Sequence, residues 1–123
     1  MATKRRIPKE SQVVTIQNTL AGMGLPPIGR EVYFAVGRQW RFDLAWPDLM
    51  VAIEYEGDTW GASRHNTGMG YRLDVDKYNH AAAMGWCVIR ATADMVRDMS
   101  YLDAVVTALA RVKPELFPEE DLT

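Results

Sequence analysis

The feature that most constrains this chain is a set of three carboxylates in residues 41–57, RFDLAWPDLMVAIEYEG. Asp43 lies in the first of two apolar runs, and a Trp-Pro-Asp turn signal separates that run from a second one ending in Glu54 and Glu56. Both runs have the composition of strands, so the segment is predicted to form a β-hairpin. Because side chains alternate faces along a strand, Glu54 and Glu56 are predicted to share one face.

The register of this hairpin decides whether the three acids meet. A turn over residues 47–50 places Asp43 directly opposite Glu54, where cross-strand side chains lie roughly 5 Å apart. Three like charges in one patch repel each other unless a cation neutralises them. Oxygen ligands without cysteine or histidine suit Mg²⁺ or Mn²⁺ better than zinc. Asp43, Glu54 and Glu56 are therefore predicted to be metal ligands, and a solvated strand end is the alternative.

The composition is that of one globular domain. A chain of 123 residues can bury a core without disulfides or metal staples. No apolar stretch is long enough to span a bilayer, and the first ten residues contain no hydrophobic signal core. The single cysteine, Cys87, excludes a cysteine-based zinc site and is typical of a reducing compartment. We therefore expect a cytoplasmic protein of bacterial or phage type, with no membrane partner and no zinc.

Charge is distributed unevenly, although the formal net charge is only −2. Residues 1–42 carry seven Lys/Arg against two acids, whereas the last ten residues carry four acids and no base. This asymmetry fits a nucleic-acid partner, and a merely solubilising arm is the alternative. We expect a basic disordered arm over 1–8, a single domain over 9–113 and an acidic tail over 114–123.

The pattern of apolar residues predicts the element order α-β-β-β-α-β-α. Helical spacing predicts helices over 10–23, 71–84 and 94–112. Strand composition predicts strands over 31–36, 39–46, 51–56 and 86–91, with a two-residue hairpin at Gly37 and Arg38. Residues 57–70 are predicted to be a loop. A meander followed by a helical crossover gives an α/β fold with a four-stranded mixed sheet flanked by helices.

Two stretches together resemble a known family: the acid-bearing hairpin and the downstream run RLDVDKYNHAAAMGWCVIRAT. They are similar to the PD-(D/E)xK nuclease superfamily, in particular its small very-short-patch-repair-like endonuclease branch. There an Asp-hairpin-Glu-x-acid motif precedes a helix and then a Gly-Trp/Tyr-x-Val-x-Arg strand. The resemblance covers roughly residues 32–96. It implies a restriction-endonuclease-like fold, a divalent metal and phosphodiester hydrolysis in DNA.

The same resemblance assigns roles to individual acids. Asp43 matches the metal-bridging aspartate and Glu54 the second acidic ligand. Glu56 stands where many members have lysine, which makes the site more negative and favours more than one metal ion. Glu10 resembles the optional glutamate on the first helix, and it fits equally well as a first-turn acid that complements the helix dipole.

Further side chains are predicted to complete the site. Lys77 supplies the missing positive charge unless it pairs with Asp74 on its own helix. His65 activates water or holds a phosphate unless it is simply exposed. Trp60 stacks on bases or packs within its loop. The predicted DNA contacts are Arg5, Arg41, Trp60, Arg64 and Arg72. Arg41 shares the predicted strand face of Asp43, where it binds a phosphate or pairs with the acids. Trp40, Phe42 and Trp86 are predicted to be core.

The predicted function is a divalent-metal-dependent DNA endonuclease of repair or recombination type. The chain is too small for a large sequence-reading domain, so recognition of a DNA structure is expected. One alternative is a Holliday-junction resolvase acting as a homodimer, with Met95 and Leu102 as dimer surface or as core. Another is a catalytically inactive nuclease fold that only binds nucleic acid or protein.

Overall fold

In a computed structural model of the protein, which describes residues 7–57 and 68–118, four strands form a mixed sheet between helices. The predicted α/β fold is confirmed. Short 3-10 turns occur at Pro47–Leu49 and Pro114–Leu116. The helices and strands are α1 Lys9–Gly22, β1 Gly29–Tyr33, β2 Arg41–Trp46, β3 Val51–Gly57, α2 Gly68–Ala83, β4 Cys87–Thr92, α3 Ala93–Asp98 and α4 Tyr101–Val112.

The strands follow chain order across the sheet, β1-β2-β3-β4. β2 is antiparallel to both β1 and β3, whereas β4 is parallel to β3 because α2 carries the chain back across the sheet. Leu44 pairs with Ile53 and Ala45 with Ala52. Extended by one residue, this register sets Asp43 opposite Glu54, as the predicted turn requires.

Helices cover both faces of the sheet. Side chains of α1, α3 and α4 pack with one set of strand residues, including the fully buried Leu44 and Ile53. On the other face, Ala81 of α2 packs with a smaller cluster that contains Phe42 and Ala52. The strands β2 and β3, which carry Asp43 and Glu54, are therefore fixed between two hydrophobic layers.

The predicted two-residue hairpin at Gly37 and Arg38 is wrong. β1 ends at Tyr33 and β2 begins at Arg41, so residues 34–40 form a longer connection. The aromatic residues at its two ends pack on each other, with the Phe34 and Trp40 ring centroids 6.1 Å apart. Ring packing thus closes this connection, and Gly37 turns the chain with a φ of +78°.

The predicted final helix over 94–112 is wrong in one respect, because it breaks into α3 and α4 at Met99. Met99 has the left-handed φ of 64°, which ends a helix, and the Asp98 carboxylate accepts a hydrogen bond from the Ser100 N–H at 2.9 Å. Helical periodicity continues through the break, so the apolar pattern alone gave no sign of it.

Replacing Met99 with glycine is expected to stabilise the fold by about 0.5–1 kcal/mol, because glycine adopts a positive φ without steric cost. Met95→Gly is the matched control. Met95 is similarly exposed but lies inside α3, where glycine costs about 1 kcal/mol. Urea unfolding of both variants measures the difference. An equal loss of stability in both would contradict the role given to the left-handed residue.

The packed structure continues past the last long helix. Leu116 and Phe117 contact the main hydrophobic core, so the first residues of the predicted acidic tail belong to the packed domain. Within the described ranges, no helix combines the length and apolarity needed to cross a bilayer.

Candidate functional site

Two carboxylates lie side by side where β2 and β3 meet, and both are nearly buried. Asp43 is 7% and Glu54 5% exposed. The backbone N–H of Asp43 donates to Glu54 Oε2 at 2.9 Å, and the backbone N–H of Tyr55 donates to Asp43 Oδ2 at 2.8 Å. Each carboxylate is therefore held in place by the main chain through one oxygen, and the other oxygens are Asp43 Oδ1 and Glu54 Oε1.

Those two oxygens each contact a lysine from a different helix. Lys9 Nζ, at the start of α1, lies 2.9 Å from Asp43 Oδ1. Lys77 Nζ, on α2, lies 2.5 Å from Glu54 Oε1, and the Tyr78 hydroxyl donates to the same oxygen at 3.1 Å. Lys77 was singled out from the sequence, and the structure places it against Glu54. Lys9 and Tyr78 were missed.

The local electrostatics follow from burial and from the close acids. Burial raises the pKa of Glu54, the Asp43 charge raises it further, and Lys77 acts in the opposite direction. This carboxyl group therefore contributes stability at low pH that is lost as the pH rises through its raised pKa. Burial and the Glu54 charge also raise the pKa of Tyr78, so its hydroxyl remains a donor.

The third predicted acid does not join this pair. Glu56 Oε1 accepts a hydrogen bond from Arg90 Nε at 2.5 Å. Arg90 lies on β4 and stacks over the Tyr78 ring at 4.5 Å. In the described parts of the chain, no three His, Cys, Asp or Glu side chains converge closely enough to hold a metal ion. The prediction of a three-acid patch is corrected to a pair, because β4 supplies Glu56 with a counter-ion of its own.

The pair nevertheless has the donor chemistry that a divalent cation needs. Both side chains are carboxylates fixed by main-chain contacts, and oxygen-only donors suit Mg²⁺ or Mn²⁺. The other two oxygens, Asp43 Oδ1 and Glu54 Oε1, already contact positive charge. Asp43 and Glu54 therefore fit as ligands of one cation, whose remaining ligands would be water or substrate.

The two acids open into a cavity of about 270 Å³. Arg41 forms part of its wall, near Asp43 as predicted, but its guanidinium contacts Glu31 at 2.9 Å. Glu31 adopts a φ of 52° within β1, an unusual conformation for a residue other than glycine. The lining residues are Lys9, Glu31, Gln39, Trp40, Arg41, Asp43, Glu54 and Lys77.

Aromatic rings and arginines alternate beside this cavity. The Arg38 guanidinium lies 4.4 Å from the Trp40 ring centre, and Arg41 lies 5.8 Å from that of Tyr33. Trp40 was predicted to be core. It is half-buried and packs against the smaller hydrophobic cluster that contains Phe42, as predicted. It also lines the cavity, because the longer connection between β1 and β2 carries it to the mouth of the site. Cation–aromatic pairs of this kind are common in nucleic-acid-binding surfaces.

Of the other predicted site residues, Glu10 and Arg72 are described by the structure and do not line the cavity. Glu10 forms an ion pair with Arg30 and does not line the cavity, so the neighbouring Lys9 is the residue through which α1 reaches the acids. Arg72 is exposed on α2. The predictions for Arg5, Trp60, Arg64 and His65 fall outside the described residues.

Comparison with known proteins finds similarity without an assigned activity. The chain is 32% identical over 89 residues to two uncharacterized proteins of Mycobacterium tuberculosis, MT2308 (strain CDC 1551 / Oshkosh) and Rv2248 (strain ATCC 25618 / H37Rv). The match covers 72% of this chain but only 30% of each relative, so the chain spans less than a third of their length. No protein-family model and no solved structure matches the chain.

Proposed function

We propose that this chain is a divalent-metal-dependent DNA endonuclease of the PD-(D/E)xK type, acting on DNA structures in repair or recombination in the cytoplasm. One observation carries the proposal: two nearly buried carboxylates, Asp43 and Glu54, face each other across β2 and β3 at an open polar cavity. Two nearly buried like charges lower the stability of the fold, so their retention suggests a function. A carboxyl group whose pKa is raised by burial in a cleft, as that of Glu54 is, is typical of active sites.

Asp43 and Glu54 are the residues that would hold Mg²⁺ or Mn²⁺. When bound, such an ion supplies an ionised water and neutralises charge on the scissile phosphate. The chain contributes the rest of the site. Lys77, next to Glu54, provides a fixed positive charge for the phosphate as negative charge develops on it. Many members of the superfamily have a strand lysine at the position of Glu56. Here Lys77 on α2 supplies that positive charge instead.

The rim of the cavity supplies the binding surface for DNA. The Arg38 and Arg41 guanidinium groups are about half exposed and each lies over an aromatic ring. Such a group can bind a phosphate through its edge, and the ring beneath it can contact a sugar or an unpaired base. This alternation supports DNA with an accessible strand, such as a nick, mismatch, flap or junction, as substrate.

A second candidate is a nuclease fold that binds DNA without cutting it. The observation that favours it is the full pairing of both acids: each oxygen of Asp43 and Glu54 already has a donor in the chain. In that case the two acids and the two lysines form a structural network, in which Lys9 and Lys77 are the permanent counter-ions of the acids.

A panel of labelled linear, nicked, mismatched, flap and four-way DNAs, each with Mg²⁺, Mn²⁺ or EDTA, distinguishes these candidates. We expect cleavage of at least one branched or nicked DNA with either metal and none with EDTA. Paired symmetric cuts in the four-way DNA, made by a dimeric protein, would instead indicate a junction resolvase. Binding without cleavage in every metal condition would favour the inactive fold.

A further inference from the structure

Of the two lysines at the acid pair, Lys9 is held more loosely. Its side chain is 54% exposed, whereas that of Lys77 is 17% exposed. Lys77 is also enclosed by the rings of Phe42 and Tyr78, at 5.7 and 5.3 Å from their centres. An exposed ammonium can return to water at little cost, but a half-enclosed one cannot. Lys9 is therefore the cation that can leave the pair.

Lys9 occupies the Asp43 oxygen that a metal ion would need. Asp43 Oδ2 accepts the Tyr55 N–H, whereas Oδ1 is the oxygen that Lys9 contacts. Two carboxylates and two ammonium groups are already neutral together. A divalent ion added to all four would leave an excess of positive charge, so the loosely held ammonium is the group that it displaces.

We infer that Lys9 is a positioning residue of the site: its ammonium holds the Asp43 carboxylate while no metal is bound, and it moves to a DNA phosphate when a divalent cation takes its place. This inference rests on the proposed function. A released ammonium at the rim of the cavity has one suitable partner in a DNA complex, since phosphate oxygens are strong acceptors for lysine.

Lysine carries a full positive charge at neutral pH, so the Lys9 ammonium competes directly with a metal ion for Asp43 Oδ1, which it contacts at 2.9 Å. Removing that charge has two opposite consequences: metal binds more tightly, and the DNA complex loses one phosphate contact.

Calorimetric titration of Mg²⁺ tests the first consequence in the wild-type chain and two variants, Lys9→Met and Lys113→Met. Lys113 lies at the end of α4 and does not line the cavity, so it is the matched control. We expect Lys9→Met to bind Mg²⁺ about fivefold more tightly than wild type, the scale of one part-exposed ion pair. Lys113→Met should match wild type.

Unchanged or weaker Mg²⁺ binding by Lys9→Met, beside measurable binding by wild type, overturns the inference and leaves the proposed function intact. Absence of Mg²⁺ binding in all three proteins overturns both. The second consequence is tested by DNA binding in Ca²⁺ as a function of salt. There the slope for Lys9→Met should be smaller than that of wild type by about one. Equal slopes for the two proteins overturn the transfer to phosphate.

Discussion

Replacing Asp43 by asparagine is expected to lower DNA cleavage by at least about a thousandfold and to leave the fold nearly as stable as wild type. The amide oxygen can still accept the Tyr55 N–H, which the carboxylate accepts at 2.8 Å. Lys9, being half-exposed, can turn to solvent. The charge that would bind the cation is lost, so the chemistry fails while the structure remains. Single-turnover cleavage and thermal unfolding of the same preparation measure the two effects.

Alanine at the same position separates structure from charge. Asp43→Ala leaves the Tyr55 N–H without its acceptor, and a polar group left unsatisfied in this way costs about 1–3 kcal/mol. If repulsion between the two acids acted alone, Asp43→Ala would stabilise the fold. Because the lost hydrogen bond from the Tyr55 N–H costs more, we expect Asp43→Ala to destabilise it. A fully active Asp43→Asn variant would show that Asp43 is not part of the site. An Asp43→Ala variant that is more stable than Asp43→Asn would contradict the role of the hydrogen bond.

Replacing Lys77 by methionine is expected to lower cleavage about a hundredfold, whereas Glu56→Gln should change it by less than about threefold. Lys77 contacts Glu54 inside the cavity, but Glu56 contacts Arg90 and does not line the cavity. Cleavage rates of both variants across a Mg²⁺ titration measure the contrast. An inactive Glu56→Gln beside a fully active Lys77→Met would restore the three-acid site predicted from the sequence.

The pH dependence provides a check on Lys77→Met. Lys77 lowers the pKa of Glu54, which burial and Asp43 raise, so removing the ammonium raises that pKa further. Less of the carboxyl group is then ionised at a given pH. The acid limb of the rate profile should therefore move to higher pH in Lys77→Met and stay in place in Glu56→Gln. A limb that does not move would show that Lys77 is not coupled to Glu54.

The part of the site that the sequence revealed is the part set by local rules. Alternation along two strands and a turn at Pro47 and Asp48 were enough to bring Asp43 opposite Glu54. The fold class followed in the same way from the order of apolar runs. Lys77 could be predicted because its helix is the next described element after the acid-bearing strand.

The remaining features depend on how distant elements pack. Lys9 reaches Asp43 because α1 packs against β2 and β3, and no local pattern encodes that placement. Glu56 forms an ion pair with Arg90 and does not join the two acids. This pairing is possible because β4 lies parallel to β3, in a register that sets Arg90 opposite Glu54. A parallel register is not set by a turn, so it could not be predicted from the residues between the strands.

The proposed role of the Asp43–Glu54 pair is to make this chain a metal-dependent DNA endonuclease. Its most direct test is the cleavage of supercoiled plasmid by the wild-type chain and by the double variant Asp43→Asn, Glu54→Gln, each purified identically and assayed with Mg²⁺ or with EDTA. We expect nicked or linear product only for wild type with Mg²⁺. Equal cleavage by the double variant, or cleavage by wild type that persists in EDTA, would contradict it.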